Sequence, residues 1–175
     1  MDINRILIVG LGSIGRRHLR LAREQFPNAT IKVLRHSISH ELCEGVDGSF
    51  STLAEAIDFQ PQIAVISSPA TFHLDTALPL AEAGVNLLVE KPISASISGV
   101  VRLITAVEKQ NSTLLIGYNL RFLPSLQFFR AKLGDGLIGK LLSVRCEVGQ
   151  YLPSWRPDNN YRTGVSARAE LGGGV

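Results

Sequence analysis

The sequence predicts a doubly wound, parallel α/β sheet followed by the start of an incomplete α+β second domain. Three observations predict it. The apolar run Ile6-Leu7-Ile8-Val9 stops at Gly10-Leu11-Gly12-Ser13-Ile14-Gly15 and then turns helical. Short apolar runs then alternate with amphipathic segments out to Ile116, the alternation that builds a parallel sheet. Beyond it the period changes. Leu142, Val144, Cys146 and Val148 alternate with Ser143, Arg145 and Glu147, which suits a half-buried strand of antiparallel type. The expected division is 1–118 for the first domain and 119–175 for the beginning of the second.

Composition bounds what the chain can be. Its 175 residues are 45% apolar and 19% charged, with a net charge of +3. That balance gives a real core and is too mild to imply a nucleic-acid partner. Arg16, Arg17, Arg20 and Arg23 cluster on one helix opposite Gly15, Leu19, Ala22 and Phe26, so they read as a solvated face. Cys43 and Cys146 match no metal or redox spacing, which favours a reducing compartment. No apolar run spans a bilayer, and no signal peptide precedes the first strand. The expectation is a cytoplasmic protein with no membrane partner.

In chain order, residues 5–9 form a strand with apolar residues on both faces, as a buried parallel strand requires. Gly10 permits the tight turn, Gly12 lets a pyrophosphate approach the backbone, and Gly15 lets the helix pack against the strand. The amides of Ser13 and Ile14 at the helix start would face the phosphates. In this strand–turn–helix context the glycines read as a Rossmann-type dinucleotide site. Helix one runs from Ile14 to about Gln25, and Thr30–Leu34 is the second strand. At its end an acid would accept the ribose hydroxyls of NAD, but here stand Arg35-His36-Ser37. A guanidinium fork and a hydroxyl suit a phosphate, so NADP is preferred over NAD. The alternative is that Arg35 points to solvent and either cofactor is accepted.

Residues 39–50 are polar and poorly periodic and read as a loop with one helical turn at most. Ser51 is the expected N-cap of a short helix bearing Leu53, Ala56 and Ile57. Ile63–Ile66 is a strand delivering Ser67-Ser68-Pro69-Ala70-Thr71 to the carboxyl edge of the sheet, where ligands bind in open α/β folds. A helix over 71–83 should be kinked or broken at Pro79. Asn86–Val89 brings Glu90-Lys91-Pro92 to the same edge. A lysine ending a buried strand is placed for acid–base work, tuned by burial and able to polarise a hydroxyl or carbonyl oxygen, with Glu90 orienting it. A plain surface turn is the competing reading. Ser94 or Ser96 should cap a helix with Ile97, Val100, Val101, Ile104 and Val107 inward. Thr113–Ile116 is the last parallel strand. Pro124 opens a helix striped by Leu126, Phe129 and Leu133, and residues 141–150 read as one long strand.

These pieces together carry a resemblance. The glycine turn, Ser67-Ser68-Pro69-Ala70-Thr71-Phe72-His73, Glu90-Lys91-Pro92, Arg121-Phe122-Leu123-Pro124, Gly136-Leu137-Ile138-Gly139, the stretch 155–162 and Leu171-Gly172-Gly173-Gly174 resemble the N-terminal half of a Gfo/Idh/MocA-family oxidoreductase. The resemblance implies hydride transfer between NAD(P) and a sugar, nucleotide sugar or polyol. It implies catalysis by Lys91, cofactor contacts from Ser68, Pro69, His73 and Glu90, and substrate-side contacts from Tyr118, Asn119 and Arg121. Trp155 lies in a segment near substrate in the family, although Pro153 and Pro157 also suit an exposed loop. His73 could equally cap or pack its helix. His18, His36 and His40 show no partner pattern and are given no catalytic role. Family members continue into a helix with an Asp and a His that works with the lysine, and no residue here is assigned as that His. The expectation is therefore either a fragment of a longer enzyme or a long strand covered by a second copy. A non-catalytic NADP-binding module is the alternative function, and a carbonyl or imine reductase a weaker one.

Overall fold

The computed structural model describes residues 2–35, 44–155 and 160–173. His36, Ser37, Cys43 and Arg156 lie outside the described residues. The described strands form a six-stranded sheet in the order β3-β2-β1-β4-β5-β6, every pairing parallel. They are β1 (Arg5–Val9), β2 (Thr30–Leu34), β3 (Gly48–Phe50), β4 (Ile63–Ile66), β5 (Asn86–Val89) and β6 (Leu114–Ile116). The doubly wound Rossmann-type sheet is as expected, with one strand more than the sequence showed.

Alternate side chains feed two apolar layers, because neighbouring strand residues point to opposite faces. Leu7, Val9, Leu34, Ala64, Ile66, Leu87 and Val89 pack with α2 (Leu53–Asp58), α3 (His73–Glu82) and α4 (Val100–Lys109). Ile6, Ile8, Ile31, Val33 and Val65 pack with Leu19 and Ala22 of α1 (Ser13–Gln25) and with Phe26, which caps its C-terminus. In register, Ile8 lies between Val33 and Val65, so β1 is fully buried after Arg5.

Several local expectations are corrected. The supposed loop before residue 51 ends in β3, paired with Lys32–Leu34. Three residues are too few to show a period, and tertiary contacts hold them. The Lys32 ammonium lies 5.0 Å from the Phe50 ring centroid and 4.9 Å from that of Phe59, within cation–π range. The cap of α2 is Thr52 rather than Ser51, in a reciprocal capping box with Glu55, which satisfies two orphan donors at once. Helix α3 begins after a 3-10 turn, Ala70–Phe72, and runs unbroken through Pro79. The carbonyl that loses its donor belongs to exposed Asp75, where water can replace it. Helix α4 starts only at Val100, after Gly99 in the left-handed region (φ 86°). Ser94 and Ser96 instead close small turns, accepting from the amides of Ser96 and Ser98. Its inward residues are Leu103, Ala106 and Val107, while Ile97, Val101 and Ile104 are exposed.

Arg23 is not part of a solvated face. Its guanidinium donates to the carbonyls of Pro27, Ala29 and Gly45 and to Asp47 Oδ2 at 2.6 Å. The same oxygen accepts from the Ile31 amide at 2.7 Å. This node ties the end of α1 to the approaches of β2 and β3.

The chain divides into two compact units, Met1–Gly117 with Glu170–Gly172, and Tyr118–Ala169 with Gly173–Val175. In the second, α5 (Pro124–Gly134) begins with proline in its first turn, where a missing N–H costs nothing. Leu126 and Phe129 of its stripe are exposed. Residues 141–150 form no ladder, contrary to the strand expectation: alternation gives a segment two faces but not a backbone partner, and among the described residues no strand pairs with this one. Leu142 and Val148 are accordingly exposed, as is Cys146.

Arg23→Leu should lower the unfolding free energy by about 1–3 kcal/mol in urea titration, since it strands several acceptors. Asp47 is drawn upward by burial, but the Ile31 amide, the Arg23 hydrogen bond and charge, and the Lys32 charge together hold it below its ordinary value of 3.8. A depressed folded pKa gives stability that is complete above the unfolded value and lost as pH falls through the folded one. Asp47→Asn should therefore flatten the acid limb of stability below about pH 4.

Candidate functional site

Three strand ends meet at the carboxyl edge, around the point where the strand order reverses between β1 and β4. Gly10 leaves β1 with φ 83°, a conformation open to glycine and strained for other residues. Its amide donates to the Leu34 carbonyl at 3.1 Å. Gly15 is buried, and a Cβ there would collide with the Gly10 carbonyl oxygen and crowd Ser67 Oγ. Gly12 differs: a Cβ there would meet nothing within 4 Å. Gly12 is also the N-cap of α1, without a side-chain cap and without an acid in the first turn. The amides of Ser13 and Ile14 thus start a 13-residue helix that faces open space, the arrangement that binds phosphate.

Ser67 is buried and bonds the carbonyls of Val9 and Gly10 at 2.9 and 3.0 Å. It holds the glycine turn rather than offering its hydroxyl to a ligand. Beside it, the buried hydroxyl oxygens of Ser68 and Thr71 have no hydrogen-bond partner. Orphaned buried hydroxyls are costly unless a ligand or water meets them. Together with the open space at Gly12, they fit a polar, phosphate-bearing cofactor. Pro69 precedes the 3-10 turn in extended conformation.

For His73 the geometry fits the packing reading. The ring is 1% exposed, with Nδ1 2.9 Å from the Pro92 carbonyl and Nε2 2.8 Å from that of Ser68. It lies beneath the edge and ties the loop after β4 to the loop after β5. Arg35 ends β2 half-buried, its amide donating to Phe50 at 3.1 Å.

Lys91 is exposed at the end of β5 and joins Pro92 through a cis peptide bond. The expected burial of the lysine is absent. Glu90 orients its backbone instead: Oε2 accepts from the Lys91 amide at 3.2 Å, while Oε1 lies 2.8 Å from His18 Nε2. Sequence reasoning missed His18. The signal was its place three residues after Gly15 and four before Ala22, on the inward face of α1. Tyr118, Asn119, Arg121 and Trp155 belong to the second unit. Tyr118 is exposed, Asn119 and Arg121 form one 3-10 turn, and Trp155 ends a helical turn over 152–155. Among the described residues no cluster of His, Cys, Asp and Glu could hold a metal, and no helix is long and apolar enough to cross a membrane.

The contrast between the glycines is testable. Gly15→Ala should destabilise the fold by about 2–4 kcal/mol in thermal or urea unfolding, because backbone must move. Gly12→Ala should leave stability within about 0.5 kcal/mol and weaken dinucleotide binding at least about tenfold by fluorescence titration, since the methyl fills the phosphate approach.

Comparison with known proteins agrees with this geometry. The Gfo/Idh/MocA family model, an oxidoreductase family with an NAD-binding Rossmann fold, matches residues 4–118. The rhizopine catabolism protein MocA of Rhizobium meliloti is 28% identical over 172 residues, 96% of this chain and 53% of that protein. Inositol 2-dehydrogenase of Corynebacterium glutamicum strain R is 27% identical over 149 residues, 81% of this chain and 44% of its own. Scyllo-inositol dehydrogenase from Lactobacillus casei, solved with NAD(H) and scyllo-inositol, superposes with a TM-score of 0.69 at 24% identity, covering 80% of this chain and 43% of that one. The chain thus spans about half the length of the curated relatives it matches. With a strand–glycine turn–helix opening a Rossmann-type parallel sheet and a family match over most of the first unit, the chain belongs to the Gfo/Idh/MocA family of NAD-binding oxidoreductases.

Proposed function

We propose that this chain supplies the dinucleotide-binding part of a dehydrogenase or reductase acting on a sugar, nucleotide sugar or polyol. The observation that carries the reading is the edge itself. An open Gly12, two orphaned hydroxyls and an uncapped helix start share it with an exposed lysine held by its own backbone amide. When bound, the dinucleotide supplies hydride chemistry at its nicotinamide. The amides of Ser13 and Ile14 bind phosphate, and Ser68 with Thr71 orients the bound group through hydroxyls that otherwise lack partners. Lys91 exchanges the proton of the reacting oxygen through Nζ. Relatives named for inositol and rhizopine catabolism support a polyhydroxylated substrate, for which Tyr118, Asn119, Arg121 and Trp155 are the substrate-side residues.

NADP is the preferred cofactor in this reading. The support is the absence of an acid after β2 and the guanidinium of Arg35 in its place, with Ser37 nearby in sequence. The exposed alternation at 142–148 supports pairing of that segment with a further strand, in a second copy or elsewhere in a longer chain.

In the enzyme, Lys91→Ala should lower kcat by about 10²–10⁴, the usual weight of a proton-transfer group. Unchanged kcat on inositol-type substrates would remove Lys91 from the chemistry. NADPH should bind about tenfold more tightly than NADH by fluorescence titration, and Arg35→Ala should erase the difference. Tighter binding of NADH would reverse the preference. Dinucleotide binding without turnover on sugars and polyols would leave a non-catalytic binding module.

A further inference from the structure

Glu90 is held from three sides. Its Oε1 lies 2.8 Å from His18 Nε2, and the two side chains are only 15% and 17% exposed. Its Oε2 accepts from the Lys91 amide at 3.2 Å. The third side is Gly117 after β6: a Cβ there would stand 3.0 Å from the Glu90 carboxyl carbon and 3.1 Å from each oxygen. An ionised carboxylate only accepts, so His18 Nε2 carries the hydrogen and donates. The bonds therefore run in one line, from the α1 helix to the Glu90 carboxylate to the Lys91 main chain.

We propose that His18 is a positioning residue for Lys91: by holding Glu90, it ties the Lys91 backbone to the helix whose N-terminus faces the dinucleotide. The functional meaning rests on Lys91 being the proton-transfer residue, as proposed above. The relay itself does not. His18 acts through a carboxylate and a main-chain amide, not on reacting atoms. Lysine has a flexible stem, so fixing its N–H limits the positions that Nζ samples and holds it nearer the reacting oxygen. The near-burial of the pair limits competition from water for the His18–Glu90 bond, whereas the bond to the Lys91 amide is exposed. The absence of a side chain at Gly117 leaves the carboxylate room where it lies.

The test uses the 15N-labelled chain and compares wild type with His18→Phe, His18→Gln and Glu90→Gln. In His18→Phe the Lys91 amide proton should move upfield and exchange about tenfold faster, as expected for a loosened local bond. The Gly10 and Gly12 amides and the thermal midpoint should stay in place. His18→Gln keeps an N–H donor and should restore the Lys91 signal. If His18→Phe does not fold, Glu90→Gln carries the test. It weakens the acceptor for Lys91, and His18→Ala, which removes the donor and perturbs the Lys91 amide when made alone, should add nothing in that background, the non-additivity of one chain of bonds. In an activity assay His18→Phe should lower kcat about tenfold with KM nearly unchanged, and His18→Gln should recover it. An unmoved Lys91 amide in folded His18→Phe, or additive effects of the His18 and Glu90 variants, overturns the proposal. An active Lys91→Ala enzyme would remove the proposed role of Lys91, while the amide signal would still decide whether His18 governs its backbone.

Discussion

The close approach of α1 to the end of β1 is the constraint on which the rest of the edge depends. Gly15 has no side chain, and the space a methyl would occupy is filled by the Gly10 carbonyl and Ser67 Oγ. Because the helix can press that near, its free amides open at the boundary between β1 and β4. The Ser67 hydroxyl reaches across to two carbonyls of the glycine turn. His18, one turn into the helix, comes within hydrogen-bond distance of Glu90 after β5. A larger residue at position 15 would push α1 outward and loosen these contacts together, which is why the effect of that position exceeds its size.

Parallel ladders stop where the strands stop, so other bonds must hold the loops beyond them. Here side chains do it in sequence. Ser67 fixes the loop after β4 to that after β1. His73 joins the loop after β4 to that after β5 through two carbonyls. A neutral imidazole carries one N–H and satisfies one of those carbonyls fully, whereas the imidazolium satisfies both. His18 and Glu90 add the link from α1 to Lys91. The two histidines and the serine are thus structural members of a functional edge, and none has to touch the ligand to matter for it.

Most of the sheet was legible in the sequence because strands of a parallel sheet read as apolar runs, as β1, β2, β4, β5 and the half-exposed edge strand β6 do. β3 was not legible, since its three residues are held by pairing with β2 and by Lys32, whose ammonium lies over the Phe50 and Phe59 rings. The glycine motif was legible because each glycine answers a local steric demand. The roles of Arg23, His18 and His73 were not. Each is decided by which carbonyl or carboxylate lies opposite in space, and residue spacing carries no record of that. The amphipathic phase of α4 was misread for a related reason. The helix begins after Gly99, six residues beyond the first plausible cap, which rotates its inward face away from Val101 and Ile104.

The placement of Lys91 follows from strand order more than from its own neighbourhood. β1 and β5 are separated in the sheet by β4 alone, so the glycine turn and Lys91 end strands about 10 Å apart at ordinary strand spacing. Residues far apart in sequence are brought to that separation by the sheet, a rigid element. What the sheet cannot set is direction, because the lysine lies past the last ladder bond and its side chain is exposed. In the proposed relay, direction falls to the Glu90 carboxylate on its amide, and through it to His18. With Lys91 as the proposed proton-transfer residue, its distance from the glycine turn is a property of the core, whereas its alignment is a property of a few polar contacts. On that reading, substitutions among those contacts alter the alignment of Lys91 while leaving the sheet and the glycine turn in place.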